Sequence, residues 1–298
     1  MNWFEKMKTG LKSRVKREIP QGIWIKCKKC SHSNYEIALE RNLWICPECN
    51  WHNPIGHQQY VNLLIDDGTF SETDAAVAPI DPLKFKGYRD KIKVGRRQSE
   101  SKESVHTCLG RIGGHPVALA VMDTRFLMGT LGGATGEKIC RLIDRAIAER
   151  RTLIIVCQSG GARMQESAFS LMQMARVSGK LKQLSQNGLL YIAILTDPTY
   201  GGVTASFAML GDIALAEPGA RIGFAGQTVI QQFLGGDTPL PAGFQLAETV
   251  LEHGFIDRIV SRDRMAAELT RLIALFAPAD EAPRETAGGL PSIQIRVQ

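Results

Sequence analysis

Two cysteine pairs constrain this chain more than any other feature. Cys27-Lys28-Lys29-Cys30 and Cys46-Pro47-Glu48-Cys49 are C-x2-C motifs separated by fifteen residues. Each pair forms a tight knuckle that aims two thiolates at one point. Two knuckles on neighbouring hairpins complete a tetrahedral set of four sulfurs, the arrangement that suits zinc. Four cysteines close the coordination shell, whereas a catalytic zinc keeps a position open, so the pattern predicts one structural zinc. His32, His52 and His57 are near in sequence but unnecessary as ligands. A module this small has little apolar core, and the metal supplies much of its folding energy. A redox use of the pairs is disfavoured, because they stand outside any βαβ unit.

Charge and composition divide the chain. Residues 1–30 hold nine basic and two acidic side chains, a net of +7, so of the overall +6 the remainder carries −1. A basic arm of this kind is either simply solvated or meets an anionic substrate, an acidic partner or nucleic acid. The first twenty residues have no apolar core or small-residue cleavage site, and no run approaches the ~18–20 apolar residues of a membrane helix. The expectation is a cytoplasmic protein without a membrane span, or a stromal one if organellar. Cys108, Cys140 and Cys157 are isolated and no disulfide framework is expected; Cys157 reads as core. The organisation expected is a basic leader (1–22), a four-cysteine module (23–57), an α/β domain (58–276) and a flexible tail (277–298).

Within 58–276 apolar strands alternate with helical periodicity, which predicts a largely parallel sheet. Strands are expected at 116–123, 152–157, 189–195, 213–216, 222–224 and 256–260. Helices are expected around 81–94 and at 134–150, 165–186, 203–211, 244–253 and 262–276, with a lid near 231–242.

Two glycine clusters follow apolar strands. One is Ser159-Gly160-Gly161-Ala162-Arg163-Met164-Gln165-Glu166; the other is Asp197-Pro198-Thr199-Tyr200-Gly201-Gly202-Val203-Thr204-Ala205-Ser206. Each is placed by its pattern at a strand's C-terminal end and a helix's N-terminus, where free N–H groups stabilise phosphate or a developing oxyanion. Neither is a dinucleotide fingerprint or a P-loop. Taken alone, each also reads as a tight turn. Arg163 and Glu166 read as a first-turn ion pair, and Met164, Met172 and Met174 as core packing. No Ser/His/Asp triad or acid/base pair stands out.

The stretches Gln158–Met174, Leu195–Gly226 and Gly254–Val260, with the four-cysteine module ahead of them, resemble the carboxyltransferase β subunits of the multisubunit acetyl-CoA carboxylase of bacteria and plastids. That resemblance covers nearly the whole chain to about residue 276. It implies a crotonase-like fold of ββα superhelical turns behind a C4 zinc ribbon. It implies transfer of a carboxyl group from carboxybiotin, on a biotin carboxyl carrier protein, to acetyl-CoA. The product is malonyl-CoA, at the first committed step of fatty acid biosynthesis. It also implies an α subunit in an α2β2 assembly and a separate ATP-dependent biotin carboxylase. The ureido anion left on biotin would serve as base, which accounts for the missing acid/base pair. Two oxyanions then need stabilising. Gly201 and Gly202 are expected to face the thioester oxygen, with Gly160, Gly161 and Ala162 as the second candidate. The chain departs from the family pattern at Gln227-Thr228-Val229-Ile230, where an Arg is usual, and at Gly235-Gly236-Asp237.

Two rivals remain at this point. An enoyl-CoA hydratase of the same fold would need carboxylates near the second glycine motif, where Val203, Thr204, Ala205 and Ser206 stand instead. A zinc-ribbon nucleic-acid-binding regulator draws support from the basic leader, Trp24, Tyr35 and Trp44.

Overall fold

The computed structural model describes residues 24–236 and 239–276, so the leader and the tail expected from the sequence lie outside the described residues. The chain divides into two compact units after Ile55. The division falls ahead of His57 because a helix begins there, with Gly56 as its N-cap.

The first unit is a ribbon. Strands β1 (Trp24–Lys26) and β2 (Ser33–Tyr35) pair antiparallel, a helix α1 (Glu36–Arg41) follows, and an isolated bridge joins Ile45 to His52. Its buried apolar side chains include Leu39, Ile45, Cys27 and Cys46.

The second unit is built on an eight-stranded sheet. The strands are β3 (Ser71–Thr73), β4 (Val105–Ile112), β5 (His115–Met122), β6 (Thr152–Ser159), β7 (Tyr191–Tyr200), β8 (Ile213–Ala216), β9 (Ile222–Gly223) and β10 (Arg258–Ile259). They run in the order β10-β8-β7-β6-β5-β4-β3, with β9 paired to β7. From β5 to β10 the pairings are parallel; β3–β4 and β4–β5 are antiparallel. Parallel strands need covering on both faces, and β5 from Val117, β6 from Leu153 and β7 up to Thr199 are continuous runs of buried residues. The helices are α2 (His57–Leu64), α3 (Tyr88–Ser99), α4 (Gly133–Ala148), α5 (Ala168–Gln186), α6 (Gly201–Thr204), α7 (Gln227–Phe233), α8 (Ala247–Glu252) and α9 (Arg262–Phe276). In α4, Ile139, Leu142, Ile143 and Ala146 recur at helical spacing and lie in the main core with Leu153, Ile155 and Leu195. No helix among the described residues is long and apolar enough to cross a membrane.

Several elements differ from expectation. The helix expected around 81–94 starts at Tyr88, because Gly87 before it is left-handed (φ +76). The long helix expected from Gln165 is a 3-10 turn (Met164–Glu166), a break at Ser167 (φ 48, ψ −126), and then α5. β7 runs five residues past Leu195, to Tyr200. In place of one helix over 203–211 there are the single turn α6 and a 3-10 turn (Phe207–Met209). β4 has no counterpart among the expected strands, and α7 forms where a lid was expected to begin.

Candidate functional site: a four-cysteine centre and two facing glycine turns

In the ribbon the two knuckles share one backbone design. Cys27 N–H donates to His32 O (2.8 Å) and Ser31 N–H to Cys27 O (2.9 Å); Cys46 N–H donates to Trp51 O (2.9 Å) and Asn50 N–H to Cys46 O (2.9 Å). Ser31 (φ 61) and Asn50 (φ 57), four residues after the first cysteine of each pair, both turn left-handed. The four Sγ atoms lie within 4.8 Å of one another. Cys27–Cys49 are 3.6 Å apart and Cys30–Cys46 3.8 Å. A tetrahedron with Zn–S bonds of ~2.3 Å has edges of about 3.8 Å, so the donor set fits zinc. Lys29 N–H points at Cys27 Sγ and Asn34 Nδ2 at Cys46 Sγ, donors that suit thiolate ligands. Cys27, Cys30, Cys46 and Cys49 are thus brought together as their spacing predicted.

In the second unit β6 and β7 end side by side and deliver the two glycine clusters to one place. The β6–β7 register shifts between Cys157 and Ser159. The Cys157 carbonyl released there accepts from both Thr196 Oγ1 and Thr199 Oγ1, each at 2.9 Å. Gly161 (φ +115) and Gly201 (φ +61) then meet backbone to backbone. A Cβ on Gly201 would stand 2.9 Å from Gly161 Cα, and one on Gly161 3.3 Å from Gly201 Cα. Only glycine combines this backbone with this approach.

The amides of the five expected residues are not equivalent. Gly201 N–H donates to Phe224 O (2.8 Å) and Gly160 N–H to Met128 O (2.8 Å). Gly161 N–H donates to Ser159 Oγ at 3.0 Å. These three are engaged, which corrects the expectation for Gly201, Gly160 and Gly161 as free donors. Among the described residues no acceptor is found for Gly202 N–H or Ala162 N–H. Gly202 is buried, and a buried amide without an acceptor is costly enough to be rare. A Cβ on Gly202 would touch Ala162 Cβ at 3.4 Å, so the two amides belong to adjoining residues of the facing turns.

The helix-dipole part of the expectation does not hold. α6 has four residues, and α5 begins only at Ala168, past the Ser167 break. What the turns offer is oriented amides. Nor does the pair Arg163–Glu166 stand alone. Arg163 is 1% exposed, and its Nη1 donates to Glu166 Oε1 (3.1 Å), Glu103 Oε2 (3.1 Å) and Tyr88 OH (3.2 Å). Its Nη2 donates to Glu103 Oε1, Ser104 Oγ and Thr130 O, and its Nε to Thr130 Oγ1. Burial alone would lower the Arg163 pKa, but the Glu103 charge and hydrogen bonds hold it above its ordinary value. Glu166 Oε2 also accepts from Gly133 N–H at 2.6 Å, so the N-terminus of α4 is already occupied by a carboxylate. Met174 packs against the core, but Met164 (83%) and Met172 (60%) are exposed, which corrects their reading as core.

Asp197, at the head of the second cluster, is not a free base. Arg221 Nε and Nη2 donate to its two oxygens at 2.7 and 3.1 Å. An apolar cavity of about 650 Å³ adjoins α6, lined by Thr204, Met209, Ile222, Phe224, Phe244 and Phe255.

Residues 56–292 match the family of carboxyl transferase domains, and residues 24–49 match the acetyl-CoA carboxylase zinc finger domain. Fold and site therefore define a crotonase-like carboxyltransferase that carries a zinc ribbon. The chain belongs to the family of acetyl-CoA carboxylase carboxyl transferase β subunits. It is 46% identical over 260 residues to the β subunit of Desulforamulus reducens, covering 87% of this chain and 90% of that one. It is 49% identical over 257 residues to the carboxyl transferase subunits beta/alpha of Clostridium tetani, covering 86% of this chain and 44% of that one. Among solved structures, the transcarboxylase 12S core with hydrolysed methylmalonyl-CoA bound has a TM-score of 0.65 at 24% identity, over 80% of this chain and 44% of that one. At that identity the likeness speaks for the fold. The activity that goes with this membership is carboxyl transfer to acetyl-CoA, and neither the hydratase nor the nucleic-acid-binding reading is favoured.

Proposed function

We propose that this chain is the β half of a cytoplasmic (or stromal) carboxyltransferase. It completes its site with an α subunit in an α2β2 assembly and makes malonyl-CoA for fatty acid synthesis. The Clostridium tetani relative, named as carboxyl transferase subunits beta/alpha, supports the pairing with α. ATP is consumed by a separate biotin carboxylase that loads the carrier protein. One structural zinc is held by Cys27, Cys30, Cys46 and Cys49, whose sulfur spacing supports it.

Carboxybiotin on the carrier protein would supply the carboxyl group, as CO2, and a ureido nitrogen basic enough to accept a methyl proton of acetyl-CoA. The resulting enolate carbon bonds to CO2. This chain's share is to hold the thioester and to stabilise the charge that grows on its oxygen. We assign that task to the amides of Gly202 and Ala162. The observation that carries the assignment is the buried Gly202 N–H without an acceptor, set against the Ala162 turn. Removing one such donor typically costs about 2.7–4 kcal/mol of barrier.

The test is malonyl-CoA formation from carboxybiotin and acetyl-CoA, with this chain reconstituted with its cognate α subunit. Activity is expected only when both subunits are present, and Gly202→Pro should cut kcat at least a hundredfold. A folded, zinc-loaded complex without activity would overturn the reading, and an unchanged kcat in Gly202→Pro would overturn the amide assignment.

A further inference from the structure

We propose that Glu103 is a positioning residue for the carboxyltransferase reaction, fixing the aim of the Ala162 amide through Arg163. This rests on the assignment of that amide as an oxyanion donor.

Glu103 lies in the connection between α3 and β4, sixty residues from the turn it would govern. Its own placement is tight. Its N–H donates to Ser101 Oγ (3.2 Å), its carbonyl accepts from the same hydroxyl (2.8 Å), and its Oε1 accepts from Ser104 N–H (2.7 Å). From there both carboxylate oxygens hold the two terminal nitrogens of Arg163, and both side chains are fully buried. A two-point carboxylate–guanidinium pair fixes the plane of the guanidinium as well as its position.

The backbone carries this placement to Ala162. Arg163 N–H donates to Leu131 O (2.8 Å), and Leu131 N–H donates to Gly161 O (2.9 Å). The two bonds bracket Ala162 in a parallel bridge. In such a bridge the bracketed residue directs its own N–H and C=O away from the partner strand. The Ala162 amide is therefore turned away from Leu131 by bonds whose far anchor is Arg163. A group held this way acts through geometry, and misplacement by about 1 Å can cost ~100-fold in rate.

A role in stability alone explains the pair poorly. Buried ion pairs rarely add net stability over apolar replacements. Glu166 also pairs with Arg163, so neutralising Glu103 leaves one carboxylate facing one guanidinium. Its charge is thus not required to compensate the buried cation, whereas its two-point grip is what holds the turn.

The test uses the reconstituted complex with this full chain. Glu103→Gln is expected to lower kcat at least tenfold, with KM for acetyl-CoA within twofold and zinc content and Tm close to the parent. Glu103→Asp, which keeps the charge and retracts the grip by one methylene, serves if the amide variant folds poorly, and it is expected to lower kcat also. In an Ala162→Pro background, Glu103→Gln is expected to have no further effect. If kcat per folded chain is unchanged, or falls only in proportion to Tm, the inference is overturned. If Ala162→Pro loses activity while both Glu103 variants keep it, the inference fails alone. If Ala162→Pro keeps full activity, the oxyanion assignment fails and takes the inference with it.

Discussion

The Glu103 carboxylate holds the Arg163 guanidinium with both oxygens, and neither side chain reaches solvent. Arg163→Met therefore differs in kind from Glu103→Gln. It removes the guanidinium that both Glu103 and Glu166 pair with, and leaves two buried carboxylates without that partner. The expected cost is about 3–5 kcal/mol. Urea unfolding of the chain should show a lower midpoint with an unchanged m-value, and a loss below ~1 kcal/mol would mean the cluster rearranges to let water in.

The cysteine spacing was legible because a C-x2-C knuckle is local geometry, and four such sulfurs have only one way to converge. The apolar stretches of β5 (Val117–Met122), β6 (Leu153–Cys157) and β7 (Tyr191–Leu195) were legible because burial on both faces writes an apolar run, whereas the polar end of β7 from Thr196 to Tyr200 was not. β4 was not, since His106, Thr107 and Arg111 interrupt its apolar pattern. Gly113-Gly114, between it and β5, was the one signal for the hairpin. The glycine clusters announced a site, but not which amides were free. That depends on Phe224, Met128 and the Ser159 hydroxyl as acceptors, and two of these lie more than twenty residues away. Glu103 was missed for the same reason, because a partner sixty residues upstream leaves no local pattern. Met164 looked like core beside Met172 and Met174, but the Ser167 break turns that stretch away from the helix face that Met174 shares with the core.

Gly201→Ala probes the close approach of the two turns. The new methyl would meet Gly161 Cα at 2.9 Å on a backbone with φ +61. The obstacle is backbone and cannot swing aside, so the turns must separate. A stability loss of about 1–3 kcal/mol is expected, with a larger proportional loss in kcat because the Gly202 amide moves with its neighbour. Thermal unfolding and steady-state rates on the same preparation read both, and full activity at parental stability would show that the turns have room to spare.

Cys46→Ser removes a ligand that is itself buried. With few apolar side chains to fall back on, residues 24–55 should lose their ordered structure, and metal content should fall from one zinc per chain towards none. Metal analysis and amide hydrogen exchange over that segment measure the two effects. Retained zinc with unchanged protection would mean that three sulfurs and another donor suffice.

Acid sensitivity should centre on the His57–His106 stack, whose ring centroids are 3.3 Å apart and whose planes differ by 5°. Burial pushes the His106 pKa down to about 3, and the neighbouring His57 and Lys138 add to the effect while Asp123 opposes it. Its Nε2 finds no hydrogen-bond partner among the described residues. Asp123 would have its pKa raised by burial, but hydrogen bonds from His57 and Arg125 hold it well below the usual carboxylate range. Both folded-state pKa values are depressed, so both contributions act with the same sign. The unfolded chain takes up a proton on His106 below about pH 6.5 while the folded chain refuses it, and stability drains as pH falls from there towards 3. Asp123 adds a second loss only below about pH 4, where its unfolded carboxylate protonates. One unmatched proton is worth at most about 1.4 kcal/mol per pH unit. Urea unfolding at pH 8, 6, 5 and 4 should therefore show a declining free energy below pH 6.5, and His106→Gln should flatten the decline between pH 6 and 4. An identical slope in that variant would place the acid sensitivity elsewhere in the chain.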